Sequence, residues 1–263
     1  MLGQLIVVAL LAFGCANADT TGTVGGRIVG GTDAEIRQYP HQISLRYNGR
    51  HFCGGSIYRS KIILTATHCV SDEDPTNITI VAGITALKEQ GVEVPVVKII
   101  AHEKYNALND YDVALLVLAQ KLEYNELIQP IALAKERPVG GSPVTVTGWG
   151  TLVSGGVLSE TLQQVTVDYV EQSTCRRSYF LLLTKRMLCA AVEGGGQDAC
   201  QGDSGGPLIV GNEQLGVVSW GFGCGSSNFP GVYSSVPDLA DWIEATADAI
   251  ESDDIAVDQY SFL

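Results

Sequence analysis

Basic residues are scarce in this chain: its 263 residues include 16 lysines and arginines against 29 aspartates and glutamates, a formal net charge of −13 at pH 7. A surface of that sign repels the phosphates of nucleic acids, so nucleic-acid binding is disfavoured. Long apolar runs are missing as well. The longest, Leu5 to Phe13, falls short of the roughly 20 residues that cross a bilayer, and no membrane association is predicted.

The first 27 residues have the pattern of a segment that is removed. Residues 1–18 combine the apolar run with a small-residue cleavage pattern ending at Ala18, which predicts a secretory signal peptide. Residues 19–27 form a short stretch rich in threonine and glycine that ends in Arg27, directly before Ile28. We therefore expect a secreted, extracellular protein.

Cysteine usage fits an oxidising compartment. The seven cysteines become six when Cys15 leaves with the signal peptide. An even count in a secreted chain favours three disulfides over metal ligation. The count and spacing leave several alternative pairings open.

Short apolar alternations recur between clusters of glycine, proline and asparagine, as in 43–45, 92–100 and 144–146. Repeated short strands favour an all-β barrel architecture, and 46% hydrophobic residues suffice for a sizeable core in one large or two small units. Helical spacing is clear mainly near the end, at 237–244, behind a proline suited to a first turn. Residues 251–263 form an acidic C-terminal segment, for which we expect a solvated tail.

The most informative stretch is Asp198–Pro207, which sets a serine among glycines with two carboxylates nearby. Glycines in this loop permit positive φ and a close approach of substrate. The backbone amides of Gly202 and Ser204 can then converge on one developing negative charge. The stretch predicts that Ser204 is a nucleophile beside its oxyanion hole.

Two other segments supply what a serine nucleophile needs. The hydroxyl is weak at neutral pH unless a base lies within hydrogen-bond reach and a third group orients that base. His68 is the candidate base, and Asp112, at the head of an apolar strand, is the candidate orienting group. The chain order His, Asp, Ser is that of one known triad type. Three histidines are interpreted as ordinary core or surface residues: His41, His51 and His102.

With these three motifs, the chain from Ile28 to about Ile250 resembles the chymotrypsin-fold serine proteases and, within them, invertebrate-type digestive trypsins with three disulfides. The resemblance implies an all-β fold of two six-stranded antiparallel β-barrels with a C-terminal α-helix, forming one protease domain over residues 28–250. It also implies peptide hydrolysis through a Ser-His-Asp triad and an acyl-enzyme. It selects three disulfide pairings: Cys53–Cys69, Cys175–Cys189 and Cys200–Cys224.

The resemblance further implies a substrate preference. Asp198 matches the base of the primary specificity pocket, and Gly221 and Gly231 match its walls, so the expected cut follows Arg or Lys. Ala199 stands where many trypsins carry serine, whose hydroxyl would help the shorter lysine. Because arginine pairs bidentately with a carboxylate, arginine is expected to be preferred. Two further residues complete the expected substrate-binding set: Ser219 and Trp220.

An activation switch is implied as well. Cutting after Arg27 frees the α-amine of Ile28, which in this family folds inward to pair with the acid preceding the nucleophile, here Asp203. Residues 19–27 are then an activation propeptide, and the chain is a zymogen. So short a propeptide favours a digestive or broad processing role.

No metal or cofactor is expected. Residues 82–93 lie where vertebrate trypsins bind calcium, yet this segment is shorter and lacks the acid expected soon after its glycine. Glu89 and Glu93 are interpreted as solvated loop acids, with weak calcium chelation by these two carboxylates as the less favoured alternative. Asn77 begins an N-glycosylation sequon.

The expected partners are protein and peptide substrates and proteinaceous serine protease inhibitors, with a monomer as the expected state. Two other functions stay open at this point. One is a regulatory activator protease that cuts few partners. The other is a catalytically silent binding homologue, which loss of His68, Asp112 or Ser204 would have indicated.

Overall fold

β-Strands dominate the fold. The computed structural model describes the backbone of residues 30–260 and the side chains of residues 30–253. The predicted signal peptide and propeptide lie outside the described residues, and so do Arg27 and Ile28. In chain order the strands are β1 (Thr32–Asp33), β2 (Gln42–Tyr47), β3 (Arg50–Arg59), β4 (Ile62–Thr65), β5 (Ile78–Ala82), β6 (Val92–Ala101), β7 (Ala114–Leu118), β8 (Ala132–Leu133), β9 (Pro143–Gly148), β10 (Gln163–Val170), β11 (Met187–Ala191), β12 (Pro207–Val210), β13 (Glu213–Trp220) and β14 (Gly231–Ser235).

The first barrel closes in the order β2-β3-β4-β7-β6-β5, with every neighbouring pair antiparallel. All five residues of β7 are buried, because this strand contributes to the barrel interior and also contacts the C-terminal helix. A strand covered on both sides has no solvent face, so its sequence is continuously apolar. Asp112 lies just before this buried strand and is held in place by it.

The second barrel is a ring of six antiparallel strands, β9-β10-β11-β14-β13-β12, closed by pairing of β12 with β9. β1 adds to β10 outside the ring, and β8 pairs in parallel with β13. Along β10 the buried residues Val165, Val167 and Tyr169 alternate with the exposed Thr166 and Asp168, the period of a half-buried strand. The prediction of two six-stranded antiparallel barrels is confirmed.

The helices are α1 (Gln172–Tyr179) and α2 (Val236–Tyr260), with 3₁₀ turns at Ile36–Gln38, Thr67–Cys69, Pro75–Asn77 and Phe180–Leu182. In α2 one face of Leu239, Ile243, Ala247 and Ile250 packs against the first barrel's core. Within the described part of the chain, neither helix has the length and apolar character required to span a bilayer.

The C-terminal helix extends beyond its predicted end. Residues 251–253 are exposed, as a solvated segment should be, but the backbone stays helical to Tyr260. The segment expected to be a solvated tail thus continues α2 over the backbone of 251–260. Acid-rich composition favours contact with water, but residues 251–260 contain neither glycine nor proline, the residues that most readily end a helix.

Three disulfides form with the pairings implied by the resemblance. Cys53–Cys69 joins β3 to the 3₁₀ turn that carries His68. Cys175–Cys189 joins α1 to β11. Cys200–Cys224 joins the serine loop to the segment after β13, so two of the three bonds lie beside candidate site residues.

Candidate active site

His68 and Asp112 form a closely bonded pair at the rim of the first barrel. The Nδ1 atom of His68 lies 2.7 Å from Oδ2 of Asp112, and the His68 backbone amide donates to Oδ1 at 2.8 Å. Ser219, on β13 of the second barrel, donates its hydroxyl to Oδ2 at 2.5 Å. Asp112 is fully buried, and these three bonds fix its carboxylate. Because Nδ1 of His68 is bonded to Asp112, Nε2 is the ring nitrogen that can accept a proton from a nucleophile.

Backbone contacts on either side hold this pair. Thr67 donates its hydroxyl to the carbonyl of Val113 at 2.7 Å, and Ser234 donates to the carbonyl of Asp112 at 2.7 Å. The first contact joins the histidine turn to the strand head, and the second joins the aspartate to the second barrel. The pair is thereby built across the junction of both barrels.

Ser204 sits on a loop that is hydrogen-bonded to β3, and β3 is joined to the histidine turn by a disulfide. Its carbonyl accepts the amide of Gly54 at 2.8 Å, and the neighbouring Cys53 is disulfide-bonded to Cys69, next to His68. At Gly205 φ is +77°, and a Cβ would collide with the Thr65 hydroxyl and come within 2.7 Å of the Gly54 carbonyl. Only glycine suits this close approach of loop and barrel.

The serine hydroxyl and two nearby amides are available for a ligand. Within the described residues, Ser204 Oγ makes no hydrogen bond, and no bond joins it to Nε2 of His68. The amides of Gly202 and Ser204 likewise donate to no group in this part of the chain. Catalytic hydrogen bonds are often long before substrate binds, and two unpaired amides beside a serine form the arrangement that binds an oxyanion.

His51 contributes to this loop, although the sequence did not indicate it. Its Nε2 lies 3.0 Å from the carbonyl of Gly202, and its Nδ1 lies 2.9 Å from the Ser44 hydroxyl. Burial lowers the pKa of His51 to about 4. The neutral ring therefore bridges β2 to the carbonyl of the glycine whose amide is a candidate oxyanion donor.

A cavity of about 210 Å³ opens beside Ser204 and has Asp198 among its lining residues. Asp198 is 5% exposed, and burial raises its pKa to about 6 against hydrogen bonds from the Gly225 and Ala199 amides. Its Oδ1 has no partner in the described chain. A Cβ on Gly231 would lie 2.5 Å from that oxygen, so glycine is needed to leave the carboxylate open.

The other predicted pocket residues lie around the same cavity. Its lining includes Ala199, Ser219, Trp220 and Gly221 together with Ser204. Tyr233 also lines it, fully buried with its hydroxyl unpaired in the described chain. Tyr233 carried no motif, and its place here comes from the pairing of β14 with β11 and β13.

Asp203 is a second buried carboxylate, with no exposed surface. Its Oδ1 accepts the Gly150 amide at 2.8 Å, and its Oδ2 accepts the Cys200 amide at 2.9 Å. Burial raises its pKa to about 7 despite these bonds. A Cβ on Gly148 or Gly150 would collide with its oxygens, so two glycines shape the space it occupies.

One group of potential metal ligands lies close together in the described chain: Cys53, His68 and Cys69. Both sulfurs belong to a disulfide, and thiolates rather than disulfide sulfurs bind metals. His68 is engaged with Asp112. This chemistry does not fit a metal site.

The fold and this site define a serine peptidase of the two-barrel class. The family described as Trypsin matches residues 28–243, and the chain belongs to that family. It is accordingly a serine endopeptidase whose substrates are proteins.

Relatives are similar over most of the chain, and two of the three that follow are named trypsins. The sequence is 43% identical to Trypsin beta of Drosophila erecta, covering 90% of this chain and 97% of that protein. It is 42% identical to Trypsin alpha of Drosophila melanogaster, covering 93% and 99%. It is 43% identical to Hypodermin-B of Hypoderma lineatum, covering 84% and 88%.

Proposed function

We propose that this endopeptidase is secreted as a zymogen and, once cut after Arg27, hydrolyses peptide bonds that follow arginine or lysine. The observation that carries the proposal is the buried, unpaired oxygen of Asp198 in a cavity that Ser204 also lines. A buried carboxylate requires a cationic or hydrogen-bonding partner. The side chain of a bound substrate supplies it.

Hydrolysis proceeds in two steps. Ser204 Oγ attacks the substrate carbonyl while His68 Nε2 takes its proton, and the Gly202 and Ser204 amides bind the resulting oxyanion. His68 gives the proton to the departing amine as the C–N bond breaks, and the acyl group stays on Ser204. In the second step, His68 takes a proton from water, which attacks the acyl carbonyl. The acid is released as His68 returns the proton to Ser204 Oγ. Asp112 keeps the imidazole in the tautomer with the proton on Nδ1.

Asp198 selects the residue before the cut. The long stems of arginine and lysine fit a cavity with glycine at positions 221 and 231, and their cations meet Oδ1. Arginine can offer two parallel N–H donors, whereas lysine is a point charge that gains from additional acceptors. Ala199 offers no hydroxyl, so arginine is favoured over lysine.

Asp203 accounts for activation. Its full burial, raised pKa and purely backbone partners in the described chain are the properties of a carboxylate that still needs a cation. The free α-amine of Ile28 is that cation after the Arg27–Ile28 bond is cut. The described chain begins against residue 197 of the same loop, where the Gly30 carbonyl accepts Nε2 of Gln197 at 3.0 Å.

Secretion and a digestive role complete the proposal. Three disulfides suit an extracellular protein, and the similarity to insect trypsins supports broad protein digestion. Residues 1–18 then serve as the signal peptide. A monomer, open to inhibitor proteins that fill the Asp198 cavity, is the state in which it acts.

The test uses protein cut after Arg27 and matched peptide amides that differ only in ending with Arg, Lys or Phe. The expected order of kcat/KM is Arg, Lys, then Phe, with hydrolysis abolished by Ser204→Ala. In Asp198→Ala the Arg rate falls by on the order of 10³-fold, while the Phe rate serves as the internal control. If Asp198→Ala lowers kcat/KM equally on the Arg and Phe peptides, the assignment of Asp198 is contradicted. If the parent has equal kcat/KM on the Arg and Lys peptides, the preference for arginine is contradicted.

A further inference from the structure

The backbone directly before Asp112 is strained. Asn109 and Tyr111 have φ of 54° and 58°, and they are two of the four non-glycine residues with positive φ in the described chain. Asparagine adopts this left-handed conformation readily, but a bulky aromatic residue seldom does. Contacts of its surroundings must hold Tyr111 there.

The ring of Tyr111 lies in a row of stacked side chains, between Arg186 on one side and His102 and Trp242 on the other. The guanidinium carbon of Arg186, just before β11 in the second barrel, is 4.1 Å from the ring centroid. The His102 ring is 4.5 Å from the Tyr111 ring, and it stacks in turn on Trp242 of α2 at 4.6 Å. The second barrel, the first barrel and the helix all contribute to the position of this side chain.

Arg186 also binds the residue before Tyr111. Its Nε and Nη2 donate to the two oxygens of Asp110, at 2.9 and 2.5 Å. Asp110 is 6% exposed, and it accepts the Thr184 hydroxyl and the Tyr111 amide as well. A two-pronged pair at this depth is rigid in a way that exposed ion pairs are not.

Arg186 is itself anchored beside the other support of Asp112. Its carbonyl accepts the amide of Ser235 at 2.7 Å, and the neighbouring Ser234 donates to the carbonyl of Asp112. Arg186 and Ser234 of the second barrel thus contact three consecutive residues of the first barrel, 110–112, the last of which is bonded to His68.

We infer that Arg186 is a positioning residue for peptide hydrolysis: by pairing with Asp110 and covering Tyr111, it holds the left-handed turn that aims the Asp112 carboxylate at His68. The inference rests on the proposed triad roles. It makes Arg186 act on kcat and leaves the Asp198 cavity untouched.

The experiment compares Arg186→Gln with the parent, both cut after Arg27. Three quantities are measured: kcat on an arginyl peptide amide, Tm, and the Kd of benzamidine. The amidinium of benzamidine is a probe for the unpaired oxygen of Asp198 and has no group for the triad to attack. We expect kcat to fall on the order of tenfold, because displacement of an orienting group is costly, with the benzamidine Kd within about twofold. Arg37→Gln is the matched control, since Arg37 pairs with Glu126 on the exposed surface.

A second substitution tests the route through Tyr111. Tyr111→Asn places a residue there that tolerates positive φ without ring contacts, so Arg186→Gln should cost less kcat in that background. If Arg186→Gln does not fold, Arg186→Lys replaces it; lysine keeps the charge but loses the fork, and kcat should fall by a smaller factor. If the parent is active and the Arg186 variant has the same kcat, the inference is overturned. It is also overturned if kcat and benzamidine affinity fall by the same factor, or if Arg186→Gln lowers kcat equally whether residue 111 is tyrosine or asparagine. A parent that cleaves nothing contradicts the proposed function instead.

Discussion

The two barrels contribute halves of the site that differ in how completely their polar groups are paired. On the first barrel, Asp112 receives two bonds from His68 and one from Ser219, and its carboxylate lacks nothing. On the second barrel, Asp198 has an unpaired oxygen, and Asp203 has only backbone amides. In the proposed function, the first half can therefore take part in proton transfer as it stands, whereas the two carboxylates of the second half require cations: a substrate side chain for Asp198 and the Ile28 amine for Asp203.

Disruption of the complete half should have the largest effect. Asp112→Asn places an amide where three donors now meet a carboxylate, so the His68 tautomer is no longer fixed. We expect kcat to fall on the order of 10⁴-fold, with Tm and benzamidine affinity nearly unchanged. Asp168→Asn, on the exposed side of β10, is the control. If Asp112→Asn lowers kcat by less than tenfold, Asp112 does not orient the base.

The uncut chain should reveal the need of Asp203 for a cation. Its folded-state pKa of about 7 lies above the ordinary 3.8, so the folded state holds the proton more tightly than the unfolded chain. This contribution to stability is complete below about pH 4 and is lost as pH rises to 7, by up to about 4 kcal/mol. Urea unfolding of uncut Ser204→Ala protein across this range measures it.

The same unfolding series in the Asp203→Asn background supplies the comparison. Without the carboxylate, the fall in unfolding free energy between pH 4 and 7 should be smaller. Cutting after Arg27 should also reduce it in the parent, because the Ile28 amine then pairs with the ionised acid. Identical pH slopes in all three proteins would count against the buried, unpaired state of Asp203.

Asp198 predicts a pH dependence of ligand binding. Burial places its pKa at about 6, and a protonated carboxyl attracts no amidinium. The benzamidine Kd of the cut protein should therefore be flat above pH 7 and rise toward tenfold per pH unit below 6. Calorimetry checks this; a Kd that stays constant down to pH 4.5 contradicts the raised pKa.

The smallest expected effect concerns Ala199. Ala199→Ser adds a hydroxyl beside Asp198 that can accept from a lysine ammonium, and one such hydrogen bond is worth about 1 kcal/mol. The ratio of kcat/KM for Lys against Arg peptides should rise about fivefold. A ratio that does not move would mean that the cavity already serves lysine by another contact.

Local chemistry explains how much of this could be predicted. The short alternations indicate strands, and the three motifs bring His68, Asp112 and Ser204 into one hypothesis from the sequence alone. The partners that lie far apart in sequence could not be found this way. His51 contacts Gly202 across 151 positions, and Arg186 contacts Asp110 across 76, with no pattern linking either pair.

The helices show the same limit. α1 buries only Cys175 and Tyr179, too few apolar side chains to give an amphipathic stripe, so it was not predicted. In α2 the acid-rich sequence after Ile250 correctly indicated exposure, but composition says little about backbone conformation. Glu251 also pairs with Arg59 of β3 at 2.8 Å, a contact that ties the extended helix to the first barrel.

The central claim is that the first half of the site is complete while the second half requires a cut after Arg27. Its most direct test is an acylation burst, in which a slowly deacylated arginyl ester is mixed with uncut and cut protein and the first product is counted per chain. The account predicts one product per chain for cut protein and no burst for uncut protein. An equal burst from both would contradict it, because Ser204, its amides and the Asp198 cavity would then be competent without the Ile28 amine.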